Sequence, residues 1–390
     1  MNPGRGDARV APTLNHQPPT TNRYNRAVNI TVIGAGVVGS AVAYELACRG
    51  AHVRLVDARG PGRGATGASA GILAPHIESH APAFLRLALC SLASYDAFIH
   101  RVQTDAHQQV EYQRNGTVQV ALDATQAAEI IDAARGLQAA GVEHVLLDAH
   151  EARQLEPALS DRAAAALLVP AHGYVSASRL TTALVQAAVN HGAVVSTARV
   201  LRIDDASQGA TVITEEEAIH ADAIVVATGS WSIEGGRAPQ PPAVKPIRGQ
   251  LVHLRLDEPV ASRVVWSADC YLVPWRDGSV LVGATVEDVG FDESTTADGV
   301  RCLLNAASDL MPALRHARFQ EARAGLRPRT TDGLPAIGRS STMPHVFHAV
   351  GHYRNGVLLA PLTAALMADL VLDGRERPEL ALLRPDRFGL

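Results

Sequence analysis

Residues 28 to 59, "VNITVIGAGVVGSAVAYELACRGAHVRLVDAR", leave a chain few folds to choose from. Val28 to Ile33 is a β-branched run and reads as a strand. Gly34, Gly36 and Gly39 follow it in GxGxxG spacing, Ser40 to Arg49 is helix-forming and stops at Gly50, and Ala51 to Val56 reads as a second strand. Each glycine has a physical task in such a unit. Gly34 makes the tight turn, Gly36 lets backbone approach a pyrophosphate, and Gly39 lets helix and strand pack closely, with the helix N-terminus aimed at the phosphates. Asp57 stands at the end of the second strand, 18 positions after Gly39, where a carboxylate accepts hydrogen bonds from ribose hydroxyls. Together these features describe a βαβ dinucleotide-binding unit.

The next segment bears on which dinucleotide. "GRGATGASAGILAPHIE", residues 62 to 78, is a long stretch of small residues where a simple NAD domain would begin its next regular unit. Small residues there let a flat ring lie against backbone. Gly71 to Pro75 is too apolar for a solvated linker.

A chain of 390 residues suits two domains or one interleaved pair. The net charge of -4 and the single lysine, Lys245, give no field for nucleic acid or anionic lipid. Cys48, Cys90, Cys270 and Cys302 are scattered without CxxC spacing, so neither a zinc site nor a disulfide framework is expected. Reduced thiols fit a cytoplasmic protein. Residues 1 to 28 lack the apolar core of a signal peptide and read as a disordered leader. Val357 to Leu372 is an apolar helix ending at Asp373-Gly374, short of spanning length, and no transmembrane segment is expected. Arg354 precedes this helix, so a guanidinium and a helix N-terminus form a doubly positive end that invites an anion.

Six stretches carry a family likeness: the glycine-loop unit, "ATGASAGILAP", "ADAIVVATGSWS" (221 to 232), "CYLVPWRDGSVLVGAT" (270 to 285), "AGLRPRTTDGLPAIGR" (324 to 339) and "GHYRNGVLLAP" (351 to 361). In order along the chain from about residue 29 to 375, they resemble the D-amino-acid oxidase superfamily of flavoproteins, and within it the glycine oxidases of thiamine biosynthesis. The resemblance implies an α/β and α+β architecture: a doubly wound FAD-binding domain (29–100, 151–242 and 321–375) interleaved with an antiparallel-sheet substrate domain (101–150 and 243–320), then a C-terminal tail (376–390). Strand-like segments at 116–122, 250–256, 270–275, 279–285, 194–203 and 223–228, and helical ones at 301–310, are compatible with it.

The same resemblance implies non-covalent FAD, held mainly by backbone. Besides Gly34, Gly36 and Gly39, its contacts fall on Val37, Val38, Asp57, Ala58, Ala65, Thr66, Ala70, Gly71, Ile72, Val200 and Gly229. They continue through the run His352, Tyr353, Arg354, Asn355, Gly356, Val357 and Leu358. The absence of cysteine beyond Cys302 argues against a covalent flavin link. Arg327 matches a carboxylate-binding position, where guanidinium geometry gives a two-pronged contact, and Tyr271 and Arg354 match its companions. A structural salt bridge is the alternative role for Arg327.

The implied reaction is oxidation of glycine or a similar small amino acid, with hydride leaving the α-carbon for flavin N5 and molecular oxygen as acceptor. It needs no catalytic acid or base and no metal, and the family implies a homo-oligomer, a tetramer, with a possible thiazole-forming partner. Alternatives are a D-amino-acid dehydrogenase, a sarcosine-type amine oxidase, a flavoprotein domain acting on tRNA, or a non-catalytic flavin-binding subunit. Two residues depart from the family pattern: Val286 stands where a pocket methionine is usual and Asp269 where a histidine is, leaving amine selectivity open. His76 reads either as a residue of the active-site entrance or as an exposed one.

Overall fold

In a computed structural model, residues 28–78, 81–233 and 243–390 are described. The expected leader lies almost wholly outside them. The glycine-loop unit forms as read: strands Asn29–Ile33 and His52–Asp57 pair in parallel, and the helix between them spans Val37–Cys48, beginning directly after Gly36. These strands lie inside a six-stranded sheet ordered Ala336–Arg339, Val346–Val350, Ala223–Val226, Asn29–Ile33, His52–Asp57, Val194–Thr197. Every pair is parallel except the first.

One face of this sheet is covered by helices Val37–Cys48, Ala177–Asn190 and Gly356–Asp373, whose aliphatic side chains build the largest core. The helix Val37–Cys48 is buried along almost its whole length, which explains its Ala/Val-rich sequence. The other face is covered by an antiparallel meander, Val200–Ala206, Gly209–Thr214 and Ala218–Ala221. The stretch expected as one strand at 194–203 is therefore two, breaking between Thr197 and Val200 as the chain leaves one sheet for the other. Gly356–Asp373 has 18 residues and a mean hydropathy of 1.7, enough to cross a membrane by length and composition, yet 72% of it is buried inside the chain. Burial in this core accounts for its apolarity.

The second domain is an eight-stranded sheet ordered Arg318–Thr330, Val244–Arg255, Ser279–Gly283, Tyr271–Pro274, Val264–Trp266, Thr117–Ala121, Ala165–Val169, Val145–Asp148. It is antiparallel, as expected, except where Val264–Trp266 runs parallel to Thr117–Ala121. Helix Ala297–Leu310 packs on it, four residues longer at its start than expected because Thr296 caps it by accepting from Gly299 N–H.

Three domain boundaries shift. Helix Tyr95–Ala106 buries Tyr95, Phe98, Ile99 and Val102 in the dinucleotide-domain core, so 101–106 belongs there. Strand Ala165–Val169 pairs with Thr117–Ala121, moving the residues around it to the substrate sheet. Strand Arg318–Thr330 pairs with Val244–Arg255 over almost its whole length, so Arg327 belongs to that sheet as well. Residues 376–390 are a docked segment: Leu380 and Leu383 are buried, and Leu383 O accepts the Ile337 N–H at 2.7 Å.

Candidate active site

The two sheets meet along a cleft of about 580 Å³, within the range of small-molecule and cofactor sites. One end is the glycine loop. Gly34 has φ +104°, and a Cβ there would lie 2.4 Å from Ala227 O. A Cβ on Gly39 would lie 1.8 Å from Gly34 O, so helix and turn can touch only without side chains. The Val37 N–H donates to Thr66 Oγ1 at 3.0 Å, which ties the helix N-terminus to the small-residue segment.

Asp57 joins two loops at this end. Its Oδ2 accepts from Ala35 N–H and its Oδ1 from Arg59 N–H, each at 2.8 Å. A carboxylate oxygen has a second acceptor site, so the capacity for a ribose hydroxyl remains. Sequence reading missed Arg59 and Trp231, which also line the cleft: the Arg59 guanidinium carbon sits 4.2 Å from the Trp231 ring centroid, and Arg59 pairs with Glu293 at 2.7 Å. Trp231 was visible inside "ATGSWS", but nothing local announces that Arg59 stacks on it across the cleft.

The far end lies on the substrate sheet. The Arg327 Nη1 donates to Thr285 O at 2.9 Å and Arg248 O at 3.3 Å, and the guanidinium lies against Gly249, where a Cβ would approach it to 2.2 Å. The Tyr271 ring lies in the same way over Gly283, where a Cβ would meet Cζ at 2.4 Å. Gly249 and Gly283 sit on adjacent hydrogen-bonded strands. Together they form a glycine shelf that lowers Arg327 and Tyr271 flat onto the sheet. The acceptor carbonyls are anchored in turn: buried Arg248 pairs with Glu287 at 2.5 Å, and Thr285 Oγ1 also donates to Glu287 at 2.5 Å. Arginine and hydroxyl contacts hold the Glu287 carboxyl below its usual range against the opposing effect of burial. Arg327 is thus bonded to backbone carbonyls, which leaves its charge available for an anion.

Between the ends runs His352 to Val357. Arg329 and Arg354 stand 5.5 and 5.7 Å from the Tyr353 ring centroid, at the cleft margin. His352 is buried against Thr363 Oγ1 at 3.1 Å, and burial lowers its pKa to about 4, so it is neutral at pH 7. Asn355 caps the C-terminal helix, and its buried Oδ1 has no hydrogen-bond partner among the described residues. The cleft therefore offers two helix N-termini, at Val37 and Gly356, a ribose-suited carboxylate, and a stretch of small residues from Ala65 to Gly71. This donor set fits a dinucleotide carrying a flat ring.

Of the expected cofactor residues, all line the cleft except Gly39, whose role is packing, and Leu358, whose carbonyl accepts Ser91 Oγ–H at 2.6 Å. Arg327, Arg354 and Tyr271 line it together. Val286 and Asp269 do not; both side chains are exposed. His76 does not line the cleft and is not exposed: it is half-buried in the turn of helix Pro75–Glu78, with Nδ1 2.9 Å from His172 Nε2.

Residues 29–370 match the family described as DAO, FAD dependent oxidoreductase. A glycine oxidase of Geobacillus kaustophilus is 34% identical over 366 residues, which cover 93% of this chain and 95% of that one. A bifunctional ThiO/ThiG protein of Synechocystis is 32% identical over 92% of this chain, which spans 54% of that longer protein. Among solved structures, the glycine oxidase of Geobacillus kaustophilus superposes with a TM-score of 0.86 at 32% identity, covering 92% of this chain and 98% of the other.

Proposed function

Since this chain belongs to the DAO family of FAD-dependent oxidoreductases, we propose that it oxidises glycine or a similar small amino acid. The observation that carries the reading is the glycine shelf, which presents Arg327 and Tyr271 at the end of a dinucleotide-shaped cleft. The overall change is amino acid plus oxygen plus water to oxo acid, ammonia and hydrogen peroxide. FAD, when bound, supplies the hydride acceptor and passes the electrons on to oxygen.

The chain's own residues bind and orient. Arg327 takes the substrate carboxylate as a charge-assisted, two-pronged contact, and the Tyr271 hydroxyl completes the clamp. With the carboxylate fixed at one end of the cleft, the α-carbon lies over the central segment lined by Ala70, Gly71 and Ile72. Holding the C–H bond in that direction is the main catalytic contribution asked of the protein. The neutral His352 adds no competing cation at the cleft. Gly34 to Val38, Asp57, Thr66 and Asn355 to Val357 hold the cofactor, with Val200 and Gly229 beside it.

The resemblance to glycine oxidases of thiamine biosynthesis and the likeness to a bifunctional ThiO/ThiG protein support a second protein that uses the imine or oxo acid for thiazole formation. The family resemblance also implies a homo-oligomer, and the scattered thiols fit a cytoplasmic protein. Supplying glycine to the purified yellow protein and assaying glyoxylate and peroxide tests the activity. Equimolar glyoxylate and peroxide are expected; turnover with dye but not oxygen would favour the dehydrogenase alternative instead.

A further inference from the structure

The scattered cysteines show no metal-binding spacing in the sequence, yet the fold brings one of them to two donors of other types. Cys48, Asp105 and His191 present ligand atoms that all lie within 4.8 Å of one another. Cys48 Sγ is 3.7 Å and His191 Nε2 2.9 Å from Asp105 Oδ2. A tetrahedral zinc ion would space sulfur from oxygen by about 3.5 Å and nitrogen from oxygen by about 3.3 Å, given its bond lengths of about 2.0 to 2.3 Å. Shifts of a few tenths of an ångström would suffice.

A second, independent feature points the same way. Cys48 ends helix Val37–Cys48, Asp105 lies in the last turn of Tyr95–Ala106, and His191 is the C-terminal cap of Ala177–Asn190. Three helix C-termini, each carrying partial negative charge, therefore converge, and none has a basic residue in its last turn. Asp105 adds a full negative charge at the end where a helix least favours one. Of the nearby cations, Arg49 pairs with Glu45 and Asp369, and Arg101 pairs with Glu45 while its guanidinium carbon stands 5.3 Å from the ring centroid of Tyr44, where its charge also acts on Cys48. Asp105 is held by Tyr44 Oη–H at 2.7 Å, and its backbone carbonyl by Asn190 Nδ2 at 2.7 Å, the outer support that an orienting carboxylate ligand requires.

We propose that Cys48, Asp105 and His191 form a three-ligand divalent-metal site, with zinc as the ion and one coordination position left open, that links three helices of the FAD-binding domain. Thiolate, imidazole and carboxylate together suit zinc and not magnesium or calcium. Binding displaces the Cys48 thiol proton to solvent, and coordination through His191 Nε2 places that ring's proton on Nδ1. Water fills the fourth position on the partly exposed His191 side. The site lies at the opposite end of helix Val37–Cys48 from the phosphate-binding turn, so it braces the cofactor-binding helix without touching substrate.

The test is zinc retention by the full-chain holoenzyme after exhaustive dialysis, measured by elemental analysis beside zinc titration calorimetry. One equivalent is expected, with affinity falling roughly tenfold or more in Cys48→Ser and in His191→Gln. Zinc should also protect Cys48 from alkylation and raise the melting temperature of the wild type only. Cys302→Ser, which removes an exposed thiol, should change none of this. Zinc bound equally by wild type and both ligand variants, or none retained, would overturn the proposal and leave a hydrogen-bonded junction.

Discussion

Tyr95 donates its hydroxyl to the Val357 carbonyl at 2.6 Å, and that carbonyl is the one that Pro361, four residues later in the same helix, cannot serve. Proline has no N–H, so a helix containing it leaves an acceptor bare one turn earlier. Ser91 repairs the neighbouring turn, donating to Leu358 O at 2.6 Å while accepting from Leu362 N–H at 3.4 Å. Both repairs lie beside Gly356 and Val357, where the helix meets the cleft. The break in the helix is thus fixed in place by fully buried hydroxyls from two other helices.

The Tyr95–Val357 bond predicts a coupling. Tyr95→Phe should cost about 1 to 3 kcal/mol of stability, because it strands a buried carbonyl. In a Pro361→Ala background the restored N–H can serve Val357, so the same substitution should cost less. Urea denaturation of the four proteins of this cycle measures the difference; equal costs in both backgrounds would mean that the hydroxyl does not substitute for the missing donor.

Gly249 carries the position of Arg327. Gly249→Ala should lower kcat/KM for glycine roughly tenfold to a hundredfold, the effect of losing about 1.5 to 3 kcal/mol from a charged contact. FAD content should stay unchanged, since Gly249 does not line the cofactor cleft. Gly136→Ala, on a helix with open space around it, is the control and should leave kinetics alone. Steady-state kinetics beside flavin absorbance separate the two effects, and unaltered kinetics in Gly249→Ala would contradict the shelf.

Asp57 ties Ala35 and Arg59 across the mouth of the dinucleotide end. Asp57→Ala should release FAD on dialysis far more readily than wild type, by about tenfold to a hundredfold in affinity on the same scale of charged hydrogen bonds. The ratio of flavin to protein absorbance after dialysis reads this directly. Full retention would assign Asp57 a role in the loops alone.

Burial holds three histidines neutral: His172 near pKa 3, and His348 and His352 near 4, against an ordinary 6.5. The unfolded chain takes up protons on these residues below about pH 6.5 while the folded chain does not. Their stabilising effect is therefore complete above pH 6.5 and is lost progressively as pH falls toward 4, at up to about 1.4 kcal/mol per pH unit for each group. Unfolding midpoints in urea should fall steeply between pH 6.5 and 5. A flat profile across that window would show the imidazoles free to charge in the fold.

The glycine-loop unit was legible in the sequence because its determinants are local: three glycines, an apolar helix and a terminal acid within thirty residues obey one geometry. Arg327 and Tyr271, the clamp proposed above, emerged from the family likeness and not from any spacing, because they lie on different strands. The shelf beneath them was not legible at all. Gly249 and Gly283 look like ordinary strand glycines until the fold sets them on paired strands, Gly283 opposite Leu251 and two residues from Gly249, under two large side chains. The domain boundaries shifted for a related reason: strand Arg318–Thr330 finds its partner more than sixty residues back, and periodicity contains no information on partners. Val286 and Asp269, singled out as departures, are exposed and do not line the cleft.

In the proposed reaction the shelf-mounted Arg327 delivers a small amino acid to FAD. Anaerobic mixing of the holoenzyme with glycine, following the visible flavin absorption, tests it most directly when wild type and Arg327→Ala are compared. Rapid bleaching of the wild type, recovery on admitting oxygen, and bleaching slowed by a hundredfold or so in the variant are expected. A variant that bleaches as fast as wild type, or a wild type that glycine and other small amino acids leave yellow, would contradict it.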